Sequence, residues 1–216
     1  MLNIKGAIFD LDGTLIDSMW MWGEVAIRYI KSHGKTPRPG FIEALRPLNS
    51  VEEAQYYIDK YGINLSVEEI VEGRDNLMYG FYEKDVKLKK GVIPVLDKLK
   101  SRGVRMCIAT ATDRWLIKPV FELHNLTGYF ERIFTCTEEK TSKKYPDMFV
   151  RASKFLGTDI NETLVVEDAL YAMKCAKKTG FITVGVYDKI ADNQQDEVKA
   201  VCDYYCLNPG EMLEFL

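Results

Sequence analysis

The chain has 216 residues, 47% of them hydrophobic and 28% charged, with a formal net charge of −3 at pH 7. That length supports one good core plus a smaller second unit, and the slightly acidic balance excludes the broad basic footprint of a general nucleic-acid or anionic-membrane binder. Five cysteines without a C-x-x-C spacing and two histidines, His33 and His124, argue against zinc and disulfide frameworks, while the lack of a long apolar run or leader pattern makes the cytoplasm the expected compartment.

The chain opens on Ile4-Lys5-Gly6-Ala7-Ile8-Phe9, a mostly apolar run that ends in Asp10-Leu11-Asp12-Gly13-Thr14-Leu15. This pattern predicts a buried strand running out into a site, because ligands of parallel α/β sheets sit beyond the carboxyl ends of the strands. Counted as a calcium loop from Asp10, the sixth position is Leu15 instead of Gly and the twelfth is Met21 instead of Glu, so the EF-hand pattern fails.

Residues 17–84 are predicted to be all-helical. Met19 to Ile30 carry a broad apolar face that stops at His33-Gly34, a short helix is expected from Phe41 to Leu45, and capping boxes are expected at Ser50 with Glu53 and at Ser66 with Glu69. The basic run Lys84 to Lys90 is expected to be a solvated linker. From about Gly91 strands and helices alternate, with strands near 104–110, 132–135, 163–166, 181–186 and 203–206. Alternating βα units imply an α/β fold with a doubly wound parallel sheet. Residues 1–16 and 85–216 are therefore expected to form a Rossmann-like core and residues 17–84 an inserted helical cap.

The strand ends carry the chemistry. The first ends in Asp10 and Asp12, the next in Thr110-Ala111-Thr112-Asp113, and a later one in Glu167-Asp168; Ser142-Lys143-Lys144-Tyr145-Pro146-Asp147 lies between. Acids, a hydroxyl and a cation on one sheet edge fit a metal-assisted reaction on a phosphorylated substrate. A carboxylate that attacks a phosphate dianion meets repulsion of about 4 kcal/mol per charge pair at ~4 Å and an effective dielectric of ~20. Mg²⁺ on Asp10, Asp168 and Glu167 would offset this from one side and Lys143 from the other, with Thr110 and the backbone amides near Leu11, Asp12 and Ala111 holding the phosphoryl oxygens. Asp10 would form an aspartyl-phosphate, and Asp12 would protonate the leaving oxygen and later deprotonate water.

Phe9-Asp10-Leu11-Asp12-Gly13-Thr14-Leu15-Ile16-Asp17-Ser18 resembles the first motif of the haloacid dehalogenase-like hydrolase superfamily, and Thr110, Lys143 and Glu167-Asp168 resemble its second, third and fourth. The match covers the whole chain and points to the phosphatase and phosphomutase branch with a helical cap. The resemblance implies Asp10 as nucleophile, Asp12 as general acid/base, Thr110 and Lys143 as phosphate-binding groups, and Mg²⁺ on Asp10, the Asp12 carbonyl and Asp168. The third motif departs from the usual Gly-Lys-Pro-x-Pro-Asp, which leaves Lys144 as a competitor to Lys143. The dehalogenases lack the second acid, and the lysine that phosphonatases carry in the first cap helix has no counterpart in residues 19–30.

The expected activity is Mg²⁺-dependent hydrolysis of a small phosphorylated metabolite, with a β-phosphoglucomutase-like reaction and a non-catalytic binding role as alternatives. Sugar mutases commonly carry a cap histidine near the position of Trp22, and the apolar residue there leans towards a phosphatase. Trp20 and Arg46 are the cap residues expected to contact substrate. No nucleic acid or membrane partner is expected, and the chain is expected to be a monomer or a weak homodimer.

Overall fold

The computed structural model describes residues 2–45, 48 and 50–216. Arg46, one of the two cap residues singled out for substrate contact, lies outside the described residues. The chain divides into two compact units, one built from the residues up to Ser18 together with Val86–Leu216, the other from Met19–Asp85.

The first unit begins with strand β1 (Gly6–Phe9) and a two-residue strand β2 (Ile16–Asp17). The chain then runs through the helices of the second unit, α1 (Met19–Ser32), α2 (Phe41–Leu45), α3 (Ser50–Tyr61) and α4 (Val67–Lys84). It returns as β3 (Lys87–Leu88), which pairs antiparallel with β2 through Ile16↔Leu88 and Asp17↔Lys87. From there helices and strands alternate: α5 (Val92–Ser101), β4 (Arg105–Thr110), α6 (Arg114–Leu123), β5 (Ile133–Thr135), α7 (Cys136–Glu139), α8 (Asp147–Leu156), β6 (Thr163–Glu167), α9 (Leu170–Thr179), β7 (Ile182–Val186), α10 (Gln195–Val201) and β8 (Tyr204–Cys206).

Six strands form one parallel sheet in the order β5-β4-β1-β6-β7-β8. This is the Rossmann-like α/β architecture. The central strands β1, β4 and β6 are apolar through their middles, with polar residues confined to their ends, as a sheet covered on both faces requires. Ile8, Cys107 and Val165 are fully buried on one face and pack with Phe134, Met148, Phe149 and Leu156. Burying each such large side chain contributes about 1.5–3 kcal/mol. The register places Phe9 level with Ile108 on one side and Val166 on the other, so β4, β1 and β6 end side by side.

Lys89 is no solvated linker residue: its ammonium forms an ion pair with buried Asp188 at 3.0 Å and donates to the Tyr187 carbonyl at 2.6 Å. The loop after β7 forms a 3-10 turn over Lys189–Gln194, started by the Asp188 carboxylate accepting from the Ile190 amide, before α10 begins.

Just beyond Lys89, Gly91 sits at φ +81°, and a Cβ there would lie 2.3 Å from the Gly210 Cα. Left-handed backbone and backbone contact penalise any side chain. Gly91→Ala is expected to destabilise the first unit by about 2 kcal/mol or more, measured as a lowered denaturation midpoint in urea.

The helical unit has its own core, in which Tyr29, Ile30, Phe41, Tyr57 and Ile70 are buried and the Tyr29 and Tyr57 rings stack at 5.8 Å. The Ser66–Glu69 capping box forms in both directions, with the Glu69 amide donating to Ser66 Oγ and the Ser66 amide to Glu69 Oε2. Ser50 and Glu53 are used differently. Ser50 Oγ accepts from Arg74, and the Glu53 carboxylate takes Arg74 at 2.6 Å together with the Tyr57 hydroxyl. Arg74 is 5% exposed, and a buried guanidinium demands such partners, which overrides the local capping preference. No helix among the described residues is long and apolar enough to cross a membrane.

Candidate active site

Strand β1 delivers Asp10, β4 delivers Thr110, and β6 delivers Glu167 and Asp168. Because these strands are neighbours at the centre of the sheet, their carboxyl ends meet where the strand order reverses, the usual ligand position in open α/β sheets. The Asp10 amide donates to the Val166 carbonyl at 2.9 Å, so the ladder continues up to the acid before the backbone turns away. Gly13 at φ +85° allows that turn, and the Leu11 carbonyl accepts the amides of Leu15 and Ile16 at 2.9 and 3.0 Å. Leu11 and Ala111 directly follow these acid and hydroxyl positions; Leu11 is buried and Ala111 is exposed.

Lys143 arrives from the loop before α8. Ser142 shapes that loop, its hydroxyl accepting from the Lys144 amide at 3.2 Å and its carbonyl from the Tyr145 amide at 3.0 Å. The Lys143 ammonium is 3% exposed and bonds both Asp10 Oδ1 and Glu167 Oε1. Lys144 points elsewhere: it is exposed, with its ammonium 5.9 Å from the centre of the Tyr171 ring.

Asp10, Glu167 and Asp168 are all buried, and each offers an oxygen within 4.8 Å of the others. Burial pushes the Asp168 carboxyl well above the usual carboxylate range, and the neighbouring charges of Glu167 and Asp10 push it further. Burial raises Glu167 as well, against the pull of Lys143. Burial also opposes the Lys143 charge, but Asp10 and Glu167 outweigh it and hold that ammonium well above its ordinary value. Three carboxylates against one ammonium leave the cluster short of positive charge.

The donor set fits a hard divalent cation. Asp10 Oδ2 is buried with no hydrogen-bond partner, whereas Glu167 has already given Oε1 to Lys143 and Oε2 to the Ala169 amide at 2.8 Å. Asp168 Oδ1 receives the Thr14 hydroxyl at 3.3 Å, a long bond that costs little to give up. An oxygen-only set of this kind suits Mg²⁺.

Asp168→Asn should therefore stabilise the metal-free protein and abolish its response to Mg²⁺. A carboxyl whose pKa is raised by folding costs stability above that folded pKa and costs nothing below its unfolded value, so the gain, about 1–3 kcal/mol, is present at pH 8 and fades as the pH falls. Thermal denaturation in EDTA and in Mg²⁺, at pH 8 and pH 5, reads both effects.

Asp12 is 9% exposed and sits between two hydroxyls. Its Oδ1 accepts from Ser18 Oγ at 2.6 Å and its Oδ2 from Thr112 Oγ1 at 2.7 Å. Thr110 is 1% exposed, and its hydroxyl oxygen accepts from the Thr112 amide at 3.1 Å, which leaves the hydroxyl proton to donate. Thr14, Ser18 and Thr112 escaped the sequence reasoning as site residues, although two of them follow the acid pair within the first motif and the third follows Thr110 by two. Of the two cap residues named for substrate contact, Trp20 is described: it lies in the first turn of α1, 42% exposed, with its ring edge-on to Phe81 at 5.4 Å.

The chain is 27% identical over 210 residues to (DL)-glycerol-3-phosphatase 1 of Arabidopsis thaliana, covering 92% of this chain and 70% of that protein. Its fold is similar to that of a family IA, variant 3 hydrolase from Entamoeba histolytica, with a TM-score of 0.83, 22% identity, and 96% and 95% of the two chains covered. It is also similar to the β-phosphoglucomutase of Clostridium difficile, with a TM-score of 0.75, 17% identity, and 97% and 93% covered. The family model described as haloacid dehalogenase-like hydrolase matches residues 7–186, which takes in every strand-end group of the site, and the chain belongs to that family of hydrolases.

Proposed function

We propose that this chain is a Mg²⁺-dependent phosphomonoesterase acting on a small phosphorylated metabolite. One observation carries the reading: Asp10 has one oxygen held by Lys143 and the other buried and unpartnered, in a carboxyl that clusters with two more acids. That is the environment of a carboxylate poised between two cations. The phosphatase names among the relatives support the same reaction class.

Asp10 Oδ2 and the Asp168 carboxylate, with the Asp12 carbonyl, would hold the metal; Glu167 anchors Lys143. Mg²⁺ supplies the positive charge that lets a dianionic phosphate approach the acids.

The chain's own groups do the rest. A carboxylate oxygen of Asp10 attacks phosphorus as the bond to the ester oxygen breaks, and the Asp12 carboxyl gives its proton to the departing alkoxide. Lys143 and the Thr110 hydroxyl hold the phosphoryl oxygens in line. Asp12, now ionised, takes a proton from water, whose oxygen attacks phosphorus and releases Asp10 and inorganic phosphate. The helical unit serves as the cap that sets specificity, with Trp20 and Arg46 as its contacts to substrate.

Phosphate release across sugar, nucleotide and polyol phosphates, with and without Mg²⁺, tests the proposal. Release that requires the metal is the expected result. Glucose 1-phosphate converted to the 6-phosphate with little free phosphate would replace hydrolysis by mutase chemistry, and silence on every substrate would remove catalysis altogether.

A further inference from the structure

The two hydroxyls on Asp12 are not equivalent. Ser18 approaches from six residues along the same segment, whereas Thr112 comes from the loop after β4, 100 residues away in sequence. Thr112 is 6% exposed, and it serves two partners at once: its hydroxyl donates to Asp12 Oδ2 at 2.7 Å while its amide donates to Thr110 Oγ1 at 3.1 Å. One residue thereby joins the group proposed to move the proton to a group proposed to hold the phosphate.

We propose that Thr112 is a positioning residue for proton transfer, fixing the Asp12 carboxyl over the leaving oxygen in register with the Thr110 side of the phosphate site. The inference rests on the assignment of Asp12 as general acid. A carboxyl bonded from one side swings about its own Cα–Cβ and Cβ–Cγ bonds. Bonded from two elements it is fixed, and sub-ångström placement is what makes proton transfer to a departing oxygen efficient.

The consequence is a dependence on the leaving group. An alkoxide leaves poorly without a proton, whereas an aryloxide such as p-nitrophenolate leaves without one. Thr112→Val keeps the β-branched shape and the amide bond to Thr110 and deletes only the hydroxyl. It is expected to lower kcat on an alkyl phosphate such as glycerol 3-phosphate by about 30-fold, part of the 10²–10⁴-fold range of acid–base catalysis, with KM nearly unchanged. On p-nitrophenyl phosphate the loss should stay below about 3-fold. Thr112→Ser restores the hydroxyl and should recover most of the alkyl rate.

Equal losses on both substrates, or none on either, would overturn the role of Thr112. Asp12→Asn run beside it separates the two assignments. If Asp12→Asn loses alkyl turnover selectively and Thr112→Val does not, the positioning role fails and the acid stands. If Asp12→Asn shows no such selectivity, the acid assignment fails and takes the positioning role with it.

Discussion

Asp10→Asn is expected to lower phosphate release by at least about 10⁴-fold while leaving the fold intact, as the loss of a group essential to both half-reactions does. Asparagine keeps the shape of the side chain, and its amide oxygen can still accept from Lys143, so the buried neighbours keep a partner. Two properties vanish together: the nucleophilic charge, and the unpartnered carboxylate oxygen in the cluster with Glu167 and Asp168. The phosphoenzyme seen by mass spectrometry after acid quenching should disappear in the variant. A variant that keeps one tenth or more of the wild-type rate would show that the nucleophile lies elsewhere.

Lys143→Met is expected to have the largest effect on stability. The ammonium is 3% exposed and bonds both Asp10 and Glu167, each of which is itself buried. Removing one member of a buried charge network strands the others, at a cost of about 3–5 kcal/mol. For a protein of this size that lowers the melting temperature by roughly 10 °C.

The pH dependence gives the sign. Burial and mutual repulsion already raise Asp168 and Glu167, and loss of Lys143 removes the one cation that draws them down. Acids with raised folded pKa values are costly when ionised, so the deficit is full at pH 8 and shrinks as the pH falls through those values towards 5. Added Mg²⁺ should recover part of the stability at pH 8 by supplying the missing charge, and it should recover no activity. A melting curve unchanged by the substitution in EDTA would mean that the cluster is not ionised in the folded protein.

The sheet was legible because its inner strands are continuous apolar runs of Ile, Val, Ala and Cys, each ending abruptly in polar residues. Burial on both faces writes itself into composition. The acid pair and the Glu167-Asp168 pair were legible for the same reason, since strand ends are marked in the sequence. Lys143 was harder: nothing in the run Ser142-Lys143-Lys144 separates the two lysines physically, and the turn built on Ser142 decides which is buried. The hydroxyls of Ser18 and Thr112 were invisible because a hydroxyl acquires meaning only from the partner that the fold brings to it. The same holds for Glu53, whose capping-box position predicted a local bond and whose carboxylate instead turned to Arg74, 21 residues away. Strands β2 and β3, with two residues each, are too short for any periodicity to register.

That two-strand ribbon says something about how such a molecule can change over time. Ile16 and Asp17 are paired with Leu88 and Lys87, so the points where the chain departs for the helical unit and comes back are hydrogen-bonded neighbours in the host. Adjacent strands lie only about 5 Å apart, a gap that a two-residue hairpin also bridges. The sheet and the carboxyl ends of its strands are therefore indifferent to what occupies the interval between them, whether a tight turn or sixty-odd residues. The helical insertion in such a scaffold is a replaceable cassette, free to drift, lengthen or be exchanged while the sheet keeps its register.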